Sequence, residues 1–183
     1  MPNNNAVRLV LTGGPGSGKT VLMERLRTLP ELAGFLFFDE LARRILSAHP
    51  ELRRDRTRFH REIYRQQVER ENAAAGRSFV TDRGTVDAFA FHPETVTQVG
   101  TSLEAEYARY TGVIQLQSAA ALGAEYYATD DIRNESVSDA LQIEAAIKRV
   151  WSGHARYTLV PAEIDFEKKY GALRRVIVDY VQD

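Results

Sequence analysis

Gly13-Gly14-Pro15-Gly16-Ser17-Gly18-Lys19-Thr20 satisfies the pattern G-x-x-x-x-G-K-[ST] in full, and no other stretch restricts the fold of this chain so strongly. Val7 to Thr12 before it is a short, mostly apolar, β-branched run that reads as a buried strand. After it, Leu22, Leu26 and Leu29 recur at i, i+4 and i+7, one face of a helix. A strand, a glycine-rich turn and a helix in that order present backbone N–H groups to phosphate oxygens, which only small, φ-permissive residues allow. The helix start adds unpaired donors and the positive end of its dipole. Lys19 then supplies a mobile charge for the β- and γ-phosphates, and the Thr20 hydroxyl is placed to ligate Mg²⁺. The sequence holds no Asn-Lys-x-Asp signature for guanine, so ATP is the expected nucleotide, bound with Mg²⁺.

Further strands are expected at Phe35–Phe38, Ser78–Thr81, Val113–Leu116 and Tyr157–Val160, the fourth strand of the series weakened by Gln115 and Gln117. Between them lie helical stretches: Leu41 to Ala48, a helix through Tyr110 capped by Thr101 and Glu104, and one capped by Ser136 and Asp139. In that last helix Ile143, Ile147, Val150 and Trp151 share a face, which makes Trp151 a core residue. Phe166, Tyr170, Leu173, Ile177 and Tyr180 form the most regular helical stripe. Five strands alternating with helices indicate an α/β domain with a mostly parallel sheet, and no repeat or linker divides the 183 residues.

In such sheets ligands bind beyond the carboxyl ends of the strands. Two strands there run into acid: Asp39-Glu40 after the second and Asp82 after the third. Phosphoryl transfer needs an acid that holds Mg²⁺, and a kinase uses another to orient or deprotonate the acceptor hydroxyl. Asp82 is the candidate for the metal, with Asp39 or Glu40 facing the acceptor and Arg83 clamping it. Each has a plainer reading, as a helix cap, a turn acid or a surface ion pair.

Lys plus Arg is 24 and Asp plus Glu is 25, for a net charge of −1, which disfavours duplex nucleic acid as the main partner. The absence of cysteine excludes a disulfide scaffold and fits a reducing compartment. No apolar run approaches the roughly 18–20 residues of a membrane span, and the polar start is unlike a signal peptide. A cytoplasmic protein is therefore expected.

The loop Gly13–Thr20, the segment Asp39-Glu40-Leu41-Ala42-Arg43-Arg44, the run Asp82-Arg83-Gly84-x-x-Asp87 and the later Arg133-x-Glu135 come in the order of one known group. With them the chain resembles the AAA-type family that includes the nicotinamide riboside kinase domain of NadR. It is similar more broadly to P-loop nucleoside and nucleotide kinases. The resemblance implies a P-loop NTPase fold, three-layer αβα, with a five-stranded parallel sheet ordered 2-3-1-4-5. It also implies that Arg133 is a lid arginine closing on the phosphates, that Glu40 is the acceptor-side acid, and that Asp82-Arg83 is the acid–arginine pair of nucleoside kinases. The lid departs from those of nucleoside kinases, which often hold several arginines, since Thr129 to Ser138 holds only Arg133. The lack of an apolar strand ending in an Asp-Glu pair weakens a reading as a ring-forming ATPase.

The expected function is transfer of the γ-phosphoryl group of ATP to a small hydroxyl acceptor, nucleoside- or riboside-like. The alternatives are a nucleotide-dependent switch, or an ATPase acting on a partner protein or lipid. Ten arginines between Arg43 and Arg77 read as a solvated helical face with interleaved acids, or as a lining for a phosphate-bearing partner. His49, His60, His92 and His154 lack the spacing of a zinc site. Tyr126-Tyr127 are candidates either to stack on a base or to pack in the core.

Overall fold

The computed structural model of the chain describes residues 6–127 and 135–182. Five strands, β1 (Arg8–Gly13), β2 (Leu36–Phe38), β3 (Phe79–Asp82), β4 (Gly112–Leu116) and β5 (Tyr157–Val160), form one parallel sheet ordered β2-β3-β1-β4-β5. The helices are α1 (Lys19–Leu26), α2 (Leu41–Ala48), α3 (Arg56–Asn72), α4 (Asp87–Phe91), α5 (Thr95–Gln98), α6 (Leu103–Tyr107), α7 (Val137–Trp151) and α8 (Phe166–Gln182). The expected three-layer αβα architecture and strand order are those observed. No helix among the described residues is long and apolar enough to cross a membrane.

The unbroken apolar run of β1 follows from its central place, since successive side chains point to opposite faces and both faces are covered. Leu9 and Leu11 pack with Leu22 and Leu26 of α1 and with Leu173 and Ile177 of α8. Val10 packs on the other side with Phe79, Val113, Ile147 and Trp151. Polar Gln115 lies fully buried in β4 because its amide is satisfied: Nε2 donates to the Glu144 carbonyl at 3.2 Å and Oε1 accepts from Tyr157 at 2.9 Å.

The helix ends follow local chemistry, with two departures from expectation. Ser136 and Asp139 make the full capping box of α7. At α6 the cap is Ser102, whose hydroxyl accepts from Ala105 N, and Thr101 instead donates to Glu106 at 2.7 Å. That helix also stops at Tyr107, short of Tyr110, which turns inward to place its hydroxyl 2.8 Å from Glu71. Leu29 lies beyond the end of α1 and is still buried in the core.

The arginine-rich segment becomes α3, whose inward face is polar. Buried Gln67 donates to Thr81 at 2.9 Å, and buried Glu71 accepts from Tyr110 and from Arg109 at 3.0 Å. A small apolar cluster of Leu41, Ile45, Leu52, Phe59 and Ile63 joins α2 to α3. Those two helices and α4 thereby wall one side of the sheet's carboxyl edge, where β1 and β3 deliver Gly13 and Asp82.

Candidate nucleotide site

The loop between β1 and α1 is fastened from outside by its carbonyls. Pro15 O accepts from the Ser118 hydroxyl at 2.5 Å, Gly16 O from Ala119 N at 3.1 Å, and Ser17 O from Lys169 Nζ at 2.8 Å. A peptide unit is planar and its N–H points opposite to its C=O. Holding the Pro15 and Ser17 carbonyls outward therefore turns the N–H groups of Gly16 and Gly18 into the hollow. Glycine is required where the loop is tightest. Gly16 has φ +74°, and a Cβ there would lie 2.6 Å from the ring of Tyr127. Gly13 has φ +155°, and a Cβ would lie 2.6 Å from the Leu116 carbonyl. Gly14 is backed by α7 through the Ala140 carbonyl and Glu144.

Lys19 opens α1 and is 9% exposed. Its ammonium lies 3.1 Å from Asp82 Oδ1, a buried oxygen for which Lys19 is the partner seen among the described residues. Burial pushes the Asp82 carboxyl above the usual range, against the pull of Lys19 and Arg83 and with Glu40 adding to the push. Thr20, one residue further on, is exposed.

Arg83 follows with φ +68°, a backbone position uncommon for a non-glycine residue. Its N–H donates to Leu11 O at 3.0 Å and its carbonyl accepts from the Thr81 hydroxyl at 2.8 Å, so the turn is held at both ends. The guanidinium then sits 3.4 Å from Glu40 and 3.5 Å from Asp87, over the ring of Phe91. Burial alone would raise the Glu40 carboxyl, but Arg83, Lys19 and Arg43 outweigh it and hold the carboxyl below its ordinary value. Glu40 is thus a carboxylate at neutral pH. Asp39 points away from this group, exposed and paired with Arg27 at 2.6 Å.

Two hollows lie near this group, one lined by Asp82 and one by the loop itself. One, of about 180 Å³, is lined by Glu40, Asp82, Arg83 and Asp87 at its polar end and by Phe59, His60 and Phe91 elsewhere. The other, of about 210 Å³, runs over Gly16, Ser17 and Gly18 beneath exposed Tyr126 and Ile164 and half-buried Phe166. The structure thus brings Lys19, Glu40, Asp82 and Arg83 together beside the loop and leaves Asp39 outside. Of the tyrosine pair, Tyr126 borders the second hollow, while Tyr127 is buried against Gly16. Arg133 lies outside the described residues.

A family model for the AAA domain matches residues 8–169. The chain belongs to the AAA domain family. No curated protein matches it as a relative. Membership makes this AAA domain a nucleotide-binding P-loop protein, in keeping with the loop and the sheet order.

Several residues of this AAA domain's site escape a reading of sequence alone. Asp87 accepts from Thr12 at 2.5 Å, from Gly84 N at 2.8 Å and from Trp151 Nε1 at 3.2 Å, so it braces the turn that carries Arg83. Its local signal was its place in the Asp82-Arg83-Gly84-x-x-Asp87 run. Lys169 had a signal too, a lysine beside the apolar stripe of α8. Glu144, whose carboxylate accepts from Ser118 N at 2.5 Å, and Ser118 itself had none, because they meet only in the folded chain.

Proposed function

We propose that the protein is an ATP-dependent kinase of a small hydroxyl compound. The observation that carries the reading is a pair of hollows, one over Gly16, Ser17 and Gly18 and one lined by Asp82, whose carboxyl meets Lys19 at 3.1 Å. Hydrolysis requires one nucleotide site and a water. Transfer requires a second, walled site beside the γ-phosphate, and the hollow lined by Glu40 and Arg83 has that position and chemistry.

In this reading Gly13, Gly14, Pro15, Gly16, Ser17, Gly18 and Thr20 hold the triphosphate with Lys19 on the β- and γ-phosphates. The nucleoside part occupies the hollow under Tyr126 and Ile164. The Thr20 hydroxyl and the Asp82 carboxylate are hard oxygen donors that suit Mg²⁺, and Asp82 lies at the end of β3 beside Lys19. Bound Mg²⁺ would neutralise charge on the transferring group. Glu40, an ionised carboxylate beside the acceptor hollow, accepts the acceptor's hydroxyl proton, and Arg83 fixes both Glu40 and the acceptor. The ring walls Phe59 and Phe91 favour an acceptor with a flat apolar part, as a nucleoside or riboside has. Positioning and charge stabilisation supply most of the rate, so little covalent chemistry is asked of the protein. Arg133 is assigned the closing role by resemblance.

The test is label transfer from γ-labelled ATP with Mg²⁺ to a pool of nucleosides, ribosides and small hydroxyl metabolites, with Lys19→Ala as blank. Label on an organic product is expected. Label found solely as inorganic phosphate would replace the kinase by an ATPase.

A further inference from the structure

We infer that Lys169, on the last helix, is a positioning residue for nucleotide phosphate. It sets the orientation of the Ser17–Gly18 peptide and places a positive charge behind the loop. The inference rests on the reading of Gly13–Thr20 as the triphosphate site, and it adds a residue outside that motif.

The geometry is that of a clamp. Lys169 is 5% exposed, and its ammonium donates to Ser17 O at 2.8 Å and to Gln117 O at 2.7 Å. It therefore ties the loop to the end of β4 from a distance of 152 residues along the chain. Of the three donors that hold the loop's carbonyls outward, Ser118, Ala119 and Lys169, it alone is charged. A buried lysine is costly unless its ammonium is satisfied, and here two carbonyls and a nearby carboxylate do that.

Removal of the ammonium leaves the Ser17 carbonyl buried without a donor. The peptide is then free to rotate, which turns an oxygen toward the phosphates where an N–H had been. The lost donor and the new repulsion act on the anionic part of the ligand and not on its base.

The charge on Lys169 is itself sensitive to pH. Burial brings its pKa down to about 8, partly offset by Glu144 on α7. Glu144 is engaged by Ser118 N–H and lies near Lys148, and Glu163 from the loop before α8 borders the same hollow as Lys169. Lys19 and Asp82 pair with one another within the site that the loop forms with β3. Below pH 8 the Lys169 ammonium is present and favours an anion. As pH rises through that value the charge is lost, and affinity for a polyphosphate falls with it.

The experiment is the dissociation constant of Mg·ATP, measured calorimetrically from pH 7.5 to 9.5, for wild type, Lys169→Met and Lys169→Arg. At pH 7.5 Lys169→Met is expected to bind roughly ten- to a hundredfold more weakly, the range for a buried charged hydrogen bond. Wild-type affinity is expected to fall several-fold across the range. Lys169→Met stays weak and flat, and Lys169→Arg recovers most of the affinity without the pH dependence. A purely structural lysine would lower the melting temperature while leaving a folded fraction that binds normally. Lys169→Met binding as tightly as wild type, or declining with pH in parallel with it, overturns the inference while leaving the triphosphate site intact. Wild type flat over the range removes the charge from the account and overturns it as stated. Failure of wild type to bind Mg·ATP at any pH removes the triphosphate site and the role of Lys169 together.

Discussion

Asp82 and Lys19 meet at 3.1 Å behind the loop, and the balance of forces on the pair decides what each substitution does. In the proposed reading the Lys19 ammonium is the charge offered to the phosphates, so Lys19→Ala should weaken Mg·ATP binding on the order of ten- to a hundredfold by calorimetry, with an unchanged circular dichroism spectrum. For Asp82 the burial cost exceeds the attraction of its cationic neighbours, so its folded pKa stands above the unfolded one. Such an acid stabilises the fold below the unfolded pKa, and that contribution is lost as pH rises through the folded pKa. Asp82→Asn should therefore melt at or above the wild-type temperature at pH 7 and keep nucleotide affinity. Its Mg²⁺-dependent turnover should fall by on the order of a hundredfold or more. Loss of nucleotide binding in Asp82→Asn would make the residue a prop for Lys19 and not a metal ligand. The loop residues and Asp82 were legible because their spacing is a property of the chain. Strand ends alone left Asp39 and Glu40 both open, with the resemblance favouring Glu40, because adjacent residues differ only in direction, and that direction is set by Arg27 on one side and Arg83 on the other.

The strands and the long helices were readable because burial on one or both faces leaves a period in the sequence, as β1 and α8 show. α3 was harder, since its inward face is built from His60, Gln67 and Glu71, which carry no apolar period. One consequence is acid sensitivity. His60 stacks on His92 at 5.5 Å and on Phe91 at 6.2 Å, joining α3 to the end of α4. Burial, with His92 and Arg56 nearby, brings its pKa down to about 4. A histidine with a depressed folded pKa contributes stability above the unfolded value, lost as pH falls from 6.5 to about 4. His60→Phe should therefore flatten the fall in melting temperature over that window. An unchanged pH profile would place the acid-labile group elsewhere. At the start of α7 the capping box makes a separate forecast. Ser136→Ala should cost about 1 kcal/mol, or about 2–4 °C in melting temperature.

For the molecule as a whole, any ligand that binds the folded chain alone stabilises it by mass action. Mg·ATP at a hundred times its dissociation constant should contribute about 2.7 kcal/mol, which at this size raises the melting temperature by about 5–10 °C. Lys19→Ala should lose that shift at the same concentration, as read by calorimetry or fluorescence. The sheet order and the layers were open to inference from alternating strands and helices, but the closure of the site was not, since it joins segments far apart in the chain. Ser17 and Lys169 are separated by 152 residues. A ribosome adding about 5–20 residues per second makes the loop roughly 8–30 s before it makes the lysine that fastens it. During that interval the nascent chain displays the glycine-rich signature without its clamp.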